Sequence, residues 1–124
     1  MARMTQITPF VMTRDLVASL EFYTSILGLT CGFQQDNYAF VHHRHGGALR
    51  LMEVDPDCEI GEQMIYPDCE DVDAVRTAQK PRLDTLPVGR VRAPFDQPCR
   101  MREFHVKDPD NCLLLYGTDI PPFP

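Results

Sequence analysis

Residues 15–28 read DLVASLEFYTSILG and form the most regular stretch of the chain. Asp15 is suited to cap a helix N-terminus, because its short side chain accepts hydrogen bonds from the exposed amides of the first turn. Apolar residues follow at spacings of 4, 3 and 4, which places on one helical face Leu16, Leu20, Tyr23 and Leu27. Gly28 takes the left-handed conformation without penalty, so the helix is predicted to end there.

Strand-like segments flank this helix. Residues 5–12 alternate loosely and are rich in β-forming types, so they predict a strand before the helix. Three more strands are predicted after it, at residues 30–35, 38–43 and 48–54. The turns between them are Asp36-Asn37 and Gly46-Gly47. The first half is therefore predicted to be a βαβββ module.

The same order of elements recurs in the second half. A strand is predicted at residues 63–69, and Asp71 begins a second helix that Pro81 is expected to end. A weak strand and a hairpin follow at residues 87–92, 101–107 and 112–117. The hairpin turn is Asp108-Pro109-Asp110-Asn111, which has the residue types of a tight turn.

The two halves align as a repeat. Asp15 and Asp71 lie 56 residues apart, and the final hairpins align at an offset of 64, which matches Phe40 with Phe104. Each half is too small to bury a sheet face alone, so the halves are expected to pack against each other or against a partner chain. We predict a single domain over residues 1–124, with module one at about 5–54, an acidic linker at 55–61, module two at about 62–117 and a loose tail at 118–124.

The composition is that of a soluble globular protein. Twelve Lys and Arg against 18 Asp and Glu give a net charge of −6, which disfavours nucleic-acid binding. No apolar run approaches ~18 residues, so no membrane span is predicted, and the N-terminus lacks the apolar core of a secretion signal. Five cysteines without a C-x-x-C pair predict reduced thiols in a cytoplasmic protein rather than disulfides or a zinc site.

The acidic residues are concentrated in one part of the chain. Nine acids lie between Glu53 and Asp73, whereas eight bases and three acids lie between Arg76 and Lys107. Two solvated faces of one domain would explain this asymmetry, and so would the steering of a charged ligand or of a second copy of the chain.

Two stretches carry a resemblance to known proteins. They are Asp15-Leu16 through Ser19 and Phe22-Tyr23 to Leu27-Gly28, and Arg102-Glu103-Phe104 through to Asp108-Pro109-Asp110-Asn111. In this order and spacing the chain resembles the glyoxalase/bleomycin-resistance/extradiol-dioxygenase superfamily, also called vicinal oxygen chelate proteins, over about residues 6–117. Thr8-Pro9 followed by Arg14-Asp15 is most similar to the bleomycin-resistance branch. The resemblance implies an α+β fold of two paired βαβββ modules that form an open curved sheet with a cleft, completed in a homodimer.

Enzymes of this superfamily hold a divalent metal with His, Gln or Glu at up to four positions. The resemblance places these positions at Thr8, Leu51, Met64 and Leu115. None of these residues is a usual ligand of iron, nickel, manganese or zinc, and the nearby carboxylate of Glu53 does not make a metal site alone. We therefore expect no metal, no cofactor and no usual catalytic residue, which argues against a typical glyoxalase or dioxygenase and leaves open whether the chain is an enzyme.

Alternation along the strands extends these positions to their neighbours on the same predicted face. Tyr38 lies where the resistance proteins carry a pocket aromatic. The predicted ligand-binding residues are Thr8, Phe10, Tyr38, Phe40, Leu51, Glu53, Met64, Tyr66, Arg102 and Leu115. This lining is apolar and aromatic, which suits a planar or amphipathic organic molecule.

Structural roles remain open for several of these residues. Leu115 also fits a core position, and Arg102 with Glu103 also fits a structural ion pair. The histidine cluster near the Gly-Gly turn is either a solvated hairpin tip or an ion or ligand contact, and its members are His42, His43 and His45.

The sequence favours a metal-independent small-molecule binding protein that sequesters a hydrophobic or aromatic ligand, such as an antibiotic or a metabolite. The alternative is a metal-dependent lyase, isomerase or dioxygenase of the same superfamily with a displaced metal site. A third possibility is a small dimeric regulator without a ligand. The acidic stretch from Glu53 to Asp73 borders the predicted cleft, and it favours a cationic amphipathic guest.

Overall fold

The computed structural model describes residues 2–121 and consists of two compact units, of which the first ends at Gly61 and the second begins at Glu62. Each unit has the order β-α-β-β-β and holds one four-stranded mixed sheet. The predicted α+β class with two βαβββ modules is therefore confirmed. Within residues 2–121, no helix is long and apolar enough to cross a membrane.

Unit one contains β1 (Phe10–Thr13), α1 (Leu16–Glu21), β2 (Thr30–Gln35), β3 (Tyr38–His42) and β4 (Ala48–Glu53). The sheet order is β1-β4-β3-β2, in which β1 runs parallel to β4 and the other neighbours are antiparallel. The first strand is shorter than predicted and begins after Pro9, which has no N–H to extend a ladder.

The predicted helix forms with the expected cap. The Asp15 side chain accepts a hydrogen bond of 3.1 Å from the amide of Ala18. The helix continues as a π-helical segment, Phe22–Ile26, in which Tyr23 is fully buried. Leu20 is only half-buried, because the buried side of α1 is centred on Leu16 and Ser19.

The sheet of unit one has two different faces. α1 packs on one face, where the buried side chains are Val11, Thr13, Ala39, Val41, Leu49 and Leu51. The alternate side chains point to the other face. We call this the open face of unit one, and it consists of Thr8, Phe10, Met12, Phe33, Tyr38, Phe40, His42, Arg50 and Met52.

Unit two contains β5 (Met64–Ile65), α2 (Val72–Leu83), β6 (Val91–Asp96), β7 (Met101–Lys107) and β8 (Leu113–Asp119). Its sheet order is β5-β8-β7-β6, with β5 parallel to β8. The strand predicted over residues 63–69 shortens to two residues because Pro67 interrupts the ladder, which resumes only as a bridge between Asp68 and Gly117.

Three element boundaries in unit two differ from the prediction. α2 runs past Pro81 to Leu83, because a proline in the exposed last turn disturbs few hydrogen bonds. β6 begins at Val91 because residues 87–90 form a turn. The described part of the tail is hydrogen-bonded: β8 reaches Asp119, and Arg100 donates to the Pro121 carbonyl at 2.6 Å. Residues 122–124 of the predicted loose tail lie outside the described residues.

The two sheets repeat at an offset of 65 residues rather than 64. Ala39 pairs with Leu51 in unit one, and Phe104 pairs with Tyr116 in unit two. All four side chains are buried, and both corresponding positions lie 65 residues apart. A shift of one residue exchanges the two faces of a strand, so the offset decides which residues are equivalent.

Candidate functional site

A row of large side chains crosses the open face of unit one. Arg50 in β4 pairs with Phe10 of β1 and with Phe40 of β3, and Phe40 pairs in turn with Phe33 of β2. Phe10 is 49% exposed and Phe33 is 51% exposed. Aromatic rings gathered in this way form an apolar surface that a planar molecule can cover.

Arg50 is held in place by three neighbouring side chains, those of Thr8, Tyr38 and Phe40. Its Nε donates to Thr8 Oγ1 at 2.8 Å, and its Nη1 donates to the Tyr38 hydroxyl. The guanidinium carbon lies 5.2 Å from the centre of the Phe40 ring, a cation–π distance. The Tyr38 ring also lies 6.0 Å from the Phe33 ring. The guanidinium is therefore oriented by hydroxyls and aromatic rings.

Arg50 forms no ion pair with the residues that the structure describes, and the open face of unit one carries no acidic side chain. Glu53 lies on the opposite side of the sheet, where its Oε2 accepts a hydrogen bond of 2.7 Å from the amide of Leu16 at the start of α1. The charge of this face is thus the positive charge of Arg50.

The sheet of unit two presents a different polar group on the face away from α2, which we call the open face of unit two. Glu103 is 3% exposed, and its carboxylate accepts hydrogen bonds from the Tyr66 hydroxyl at 2.9 Å and from Gln97 Nε2 at 3.1 Å. His105 Nε2 lies 2.8 Å from Glu103 Oε1. The Phe95 ring packs edge-on against the His105 ring at 5.0 Å. We call Glu103, Tyr66, Gln97 and His105 the Glu103 cluster.

The cluster changes the acidity of two of its members. Burial opposes ionisation of Glu103, but hydrogen bonds from His105, Gln97 and Tyr66 outweigh it and hold the Glu103 pKa below its ordinary value. Burial, together with the bond to the Glu103 carboxylate, raises the pKa of Tyr66. The stable form of the cluster therefore has an ionised carboxylate and a protonated phenol.

Gly117 makes the Tyr66 contact possible. A Cβ atom at Gly117 would lie 1.8 Å from the Tyr66 hydroxyl oxygen, well inside van der Waals contact. The ring therefore lies directly over the backbone of β8, and only glycine leaves space for it there.

Arg102 lies on the other face of the same sheet. It binds Asp73 through two hydrogen bonds, of 2.8 and 3.1 Å, and Asp96 through one of 3.0 Å. These three residues border a shallow depression of about 500 Å³ beside the start of α2. The carboxylates of Asp73 and Asp96 in this depression are already paired with Arg102.

The comparisons with known proteins agree with this architecture. Residues 3–116 match the family described as the Glyoxalase/Bleomycin resistance protein/Dioxygenase superfamily. The chain belongs to this superfamily. No curated protein matches the sequence.

Solved structures with the same fold include proteins of different functions. A bleomycin-binding protein complexed with bleomycin has a TM-score of 0.79 and 21% identity, over 94% of this chain and 99% of the other. A bleomycin-binding protein from Streptomyces verticillus complexed with copper(II)-bleomycin has a TM-score of 0.75 and 19% identity, over 94% and 97%. A lactoylglutathione lyase from Agrobacterium tumefaciens has a TM-score of 0.71 and 17% identity, over 94% and 95%. At these identities the likeness shows the fold alone.

The metal positions of the superfamily do not fit a metal in this chain. With the offset of 65, the residue equivalent to Leu115 is Arg50, and Leu51 lies on the helix-covered face. The positions on the open faces are thus Thr8, Arg50, Met64 and Leu115, which include a cation and two apolar side chains. Among residues 2–121, no group of three or more His, Cys, Asp or Glu side chains is arranged to hold a metal ion.

The structure divides the predicted ligand-binding residues into groups. Thr8, Phe10, Tyr38 and Phe40 lie together on the open face of unit one, around Arg50. In unit two, the residues on the face away from α2 are Met64, Tyr66 and Leu115.

Three residues do not belong to either group. Leu51 and Glu53 are on the helix-covered face of unit one. Their predicted place on the cleft-lining face was wrong because the prediction aligned the two halves at an offset that differs by one residue from the observed offset. Arg102 forms structural ion pairs, but with Asp73 and Asp96 rather than with Glu103, which lies on the other face of the sheet.

The predicted ligand-binding residues leave out two residues at the centres of these faces. Arg50 alternates with the buried residues Leu49 and Leu51, and Glu103 precedes the buried Phe104. The alternation of apolar and polar residues along these strands indicates that both side chains point away from the core. The alignment of the two halves indicated other residues instead.

The three histidines near the Gly-Gly turn are divided between the open face of unit one and the turn itself. His42 stacks on Phe40 at 5.9 Å, on the open face of unit one. His43 and His45 are exposed at the turn, with ring centres 5.6 Å apart.

Proposed function

We propose that the protein is a metal-independent binding protein for a hydrophobic or aromatic small molecule, such as an antibiotic or a metabolite. The observation that carries this proposal is the row of aromatic side chains around Arg50 on the open face of unit one. Ring stacking and burial of the exposed parts of Phe10 and Phe33 would supply the binding free energy.

The residues at the superfamily's metal positions support metal independence. Arg50 occupies one of these positions, and its guanidinium donates to Thr8, which occupies another. A fixed positive charge beside Thr8 repels a divalent cation in unit one, and in unit two neither Met64 nor Leu115 is a hard ligand.

The structural neighbours that bind bleomycin support an antibiotic or a molecule of similar character as the guest. We further propose a cytoplasmic homodimer in which a partner chain covers part of the open faces. Five free cysteines support a reducing compartment. The charge of the guest stays a prediction at this point: the acidic stretch favours a cation, whereas the open face of unit one carries Arg50.

A titration with the uncharged fluorescent probe phenylnaphthylamine tests this proposal. Wild-type protein should bind the probe saturably, and Phe33→Ala should weaken the affinity by about tenfold, because a ring contact and its buried area are lost. Val17→Ala is the matched control, since Val17 is an exposed apolar residue on α1 of the same unit, 71% exposed. Equal effects of both substitutions, or no saturable binding to wild type, would refute the proposal.

The Glu103 cluster favours one second candidate, a metal-dependent lyase, isomerase or dioxygenase with a displaced metal site. Glu103 and His105 offer a carboxylate and an imidazole 2.8 Å apart on one face. Against this, three hydrogen-bond donors already engage the Glu103 carboxylate. A stoichiometric transition metal retained through purification would favour the enzyme.

A further inference from the structure

We infer that Arg50 forms an anion subsite on the open face of unit one, and that the ligand is an aromatic molecule with a carboxylate, sulfonate or phosphate group. This inference rests on the proposed function, because it assigns the charge of the ligand to the same site.

The first argument is the unused hydrogen-bonding capacity of Arg50. A guanidinium has five N–H donors in a planar fork. Two of them are directed at Thr8 and Tyr38, which leaves Nη2 without a partner among residues 2–121. A planar fork with free donors matches the two oxygens of a carboxylate, or two oxygens of a sulfonate or phosphate.

The second argument is the missing countercharge. Arg102 in unit two is paired with both Asp73 and Asp96, whereas Arg50 is half-buried beside neutral hydroxyls and aromatic rings. A half-buried charge that is held in one orientation without a partner ion is stabilised when an external anion completes the pair.

The third argument is the distribution of the acids that led to the prediction of a cationic guest. Three of them already have partners within their own units. Glu53 accepts from the amide of Leu16, Asp71 caps α2 through the amide of Ala74, and Asp73 pairs with Arg102. These three carboxylates are therefore used within the protein, which weakens the case for a cationic guest.

A matched pair of probes tests the inference. Anilinonaphthalene sulfonate and phenylnaphthylamine share the same aromatic system, and only the first carries an anionic group. Arg50→Met should weaken the binding of the sulfonate probe by about tenfold or more, since a charge-assisted pair is lost, and should weaken the uncharged probe by a much smaller factor.

Arg44→Met is the control variant. Arg44 is exposed at the turn between β3 and β4, so this variant removes the same charge from the same unit. It should change the affinity for the sulfonate probe by less than about twofold, because an exposed charge is screened by solvent and salt.

Wild-type protein supplies a measurement that does not depend on the folding of a variant. Raising the salt concentration should weaken the sulfonate probe and not the uncharged probe. Any of four results would overturn the inference. They are equal salt dependence of the two probes, equal effects of Arg50→Met on both probes, equal effects of Arg50→Met and Arg44→Met on the sulfonate probe, and tighter binding of a cationic analogue. In those cases uncharged-probe binding would still support the proposed function, whereas a wild-type protein that binds neither probe would refute both.

Discussion

At the scale of single residues, the two open faces carry opposite charges in similar settings. Arg50 is oriented by the hydroxyls of Thr8 and Tyr38, and Glu103 accepts from the hydroxyl of Tyr66. The chain itself supplies the hydrogen-bond donors to the Glu103 carboxylate, whereas Arg50 has no acidic partner among residues 2–121. The Glu103 arrangement is complete within the chain, whereas the Arg50 arrangement is the one that we propose meets a ligand.

The Glu103 cluster predicts a dependence of stability on pH. The pKa of Glu103 is lower in the folded state than in the unfolded chain, so the carboxylate stabilises the fold above about pH 4.3 and loses this effect as the pH falls through its folded pKa. Glu103→Gln should lower the free energy of unfolding by about 1–3 kcal/mol at neutral pH, because hydrogen bonds to a buried charge are lost.

Urea denaturation of both proteins across the acid range checks this prediction. The difference between wild type and Glu103→Gln should be largest at neutral pH and should shrink as the pH falls. Tyr66→Phe, which removes one donor and keeps the carboxylate, should retain the pH dependence with a smaller amplitude. A difference that stays constant with pH would show that Glu103 contributes through packing alone.

At the scale of elements, much of the fold could be predicted because local signals agree with tertiary packing. Asp15 and Asp71 cap the two helices as predicted, and β2 and β7 have the predicted bounds. The register between the two halves could not be obtained in this way, because the offset grows from 56 residues at the helices to 65 at the final hairpins, and apolar residues such as Phe40 and Phe104 also match at 64. That single residue exchanged Leu51 for Arg50 at the candidate site.

The turn between β7 and β8 predicts a second measurable effect. Asp108 is fully buried, and its Oδ1 accepts hydrogen bonds of 2.8 Å from the amides of both Asp110 and Cys112. Asp108→Ala leaves these amides without their acceptor, so the free energy of unfolding should fall by about 1–3 kcal/mol.

Thermal or urea denaturation measures this loss. Asp84→Ala is the control, since Asp84 is exposed at the end of α2 and pairs with the exposed Lys80. The control should unfold nearly as wild type does. A stable Asp108→Ala variant would mean that the hairpin is held by strand pairing without the help of its turn.

At the scale of the whole molecule, one scaffold is used twice with different open faces. Both units bury alternate strand residues against a helix, which leaves the remaining positions free to vary. In unit one these positions carry aromatic rings and Arg50, and in unit two they carry the Glu103 cluster. Ligand recognition by side chains rather than by a metal is the central claim that follows.

Probe binding before and after exhaustive treatment with a metal chelator tests this claim most directly. Because the proposed site uses aromatic rings and a guanidinium, anilinonaphthalene sulfonate should bind with the same affinity and stoichiometry in both preparations. Addition of zinc or ferrous iron should not increase the affinity. Loss of binding on chelation, with recovery when one of these metals is restored, would contradict the account.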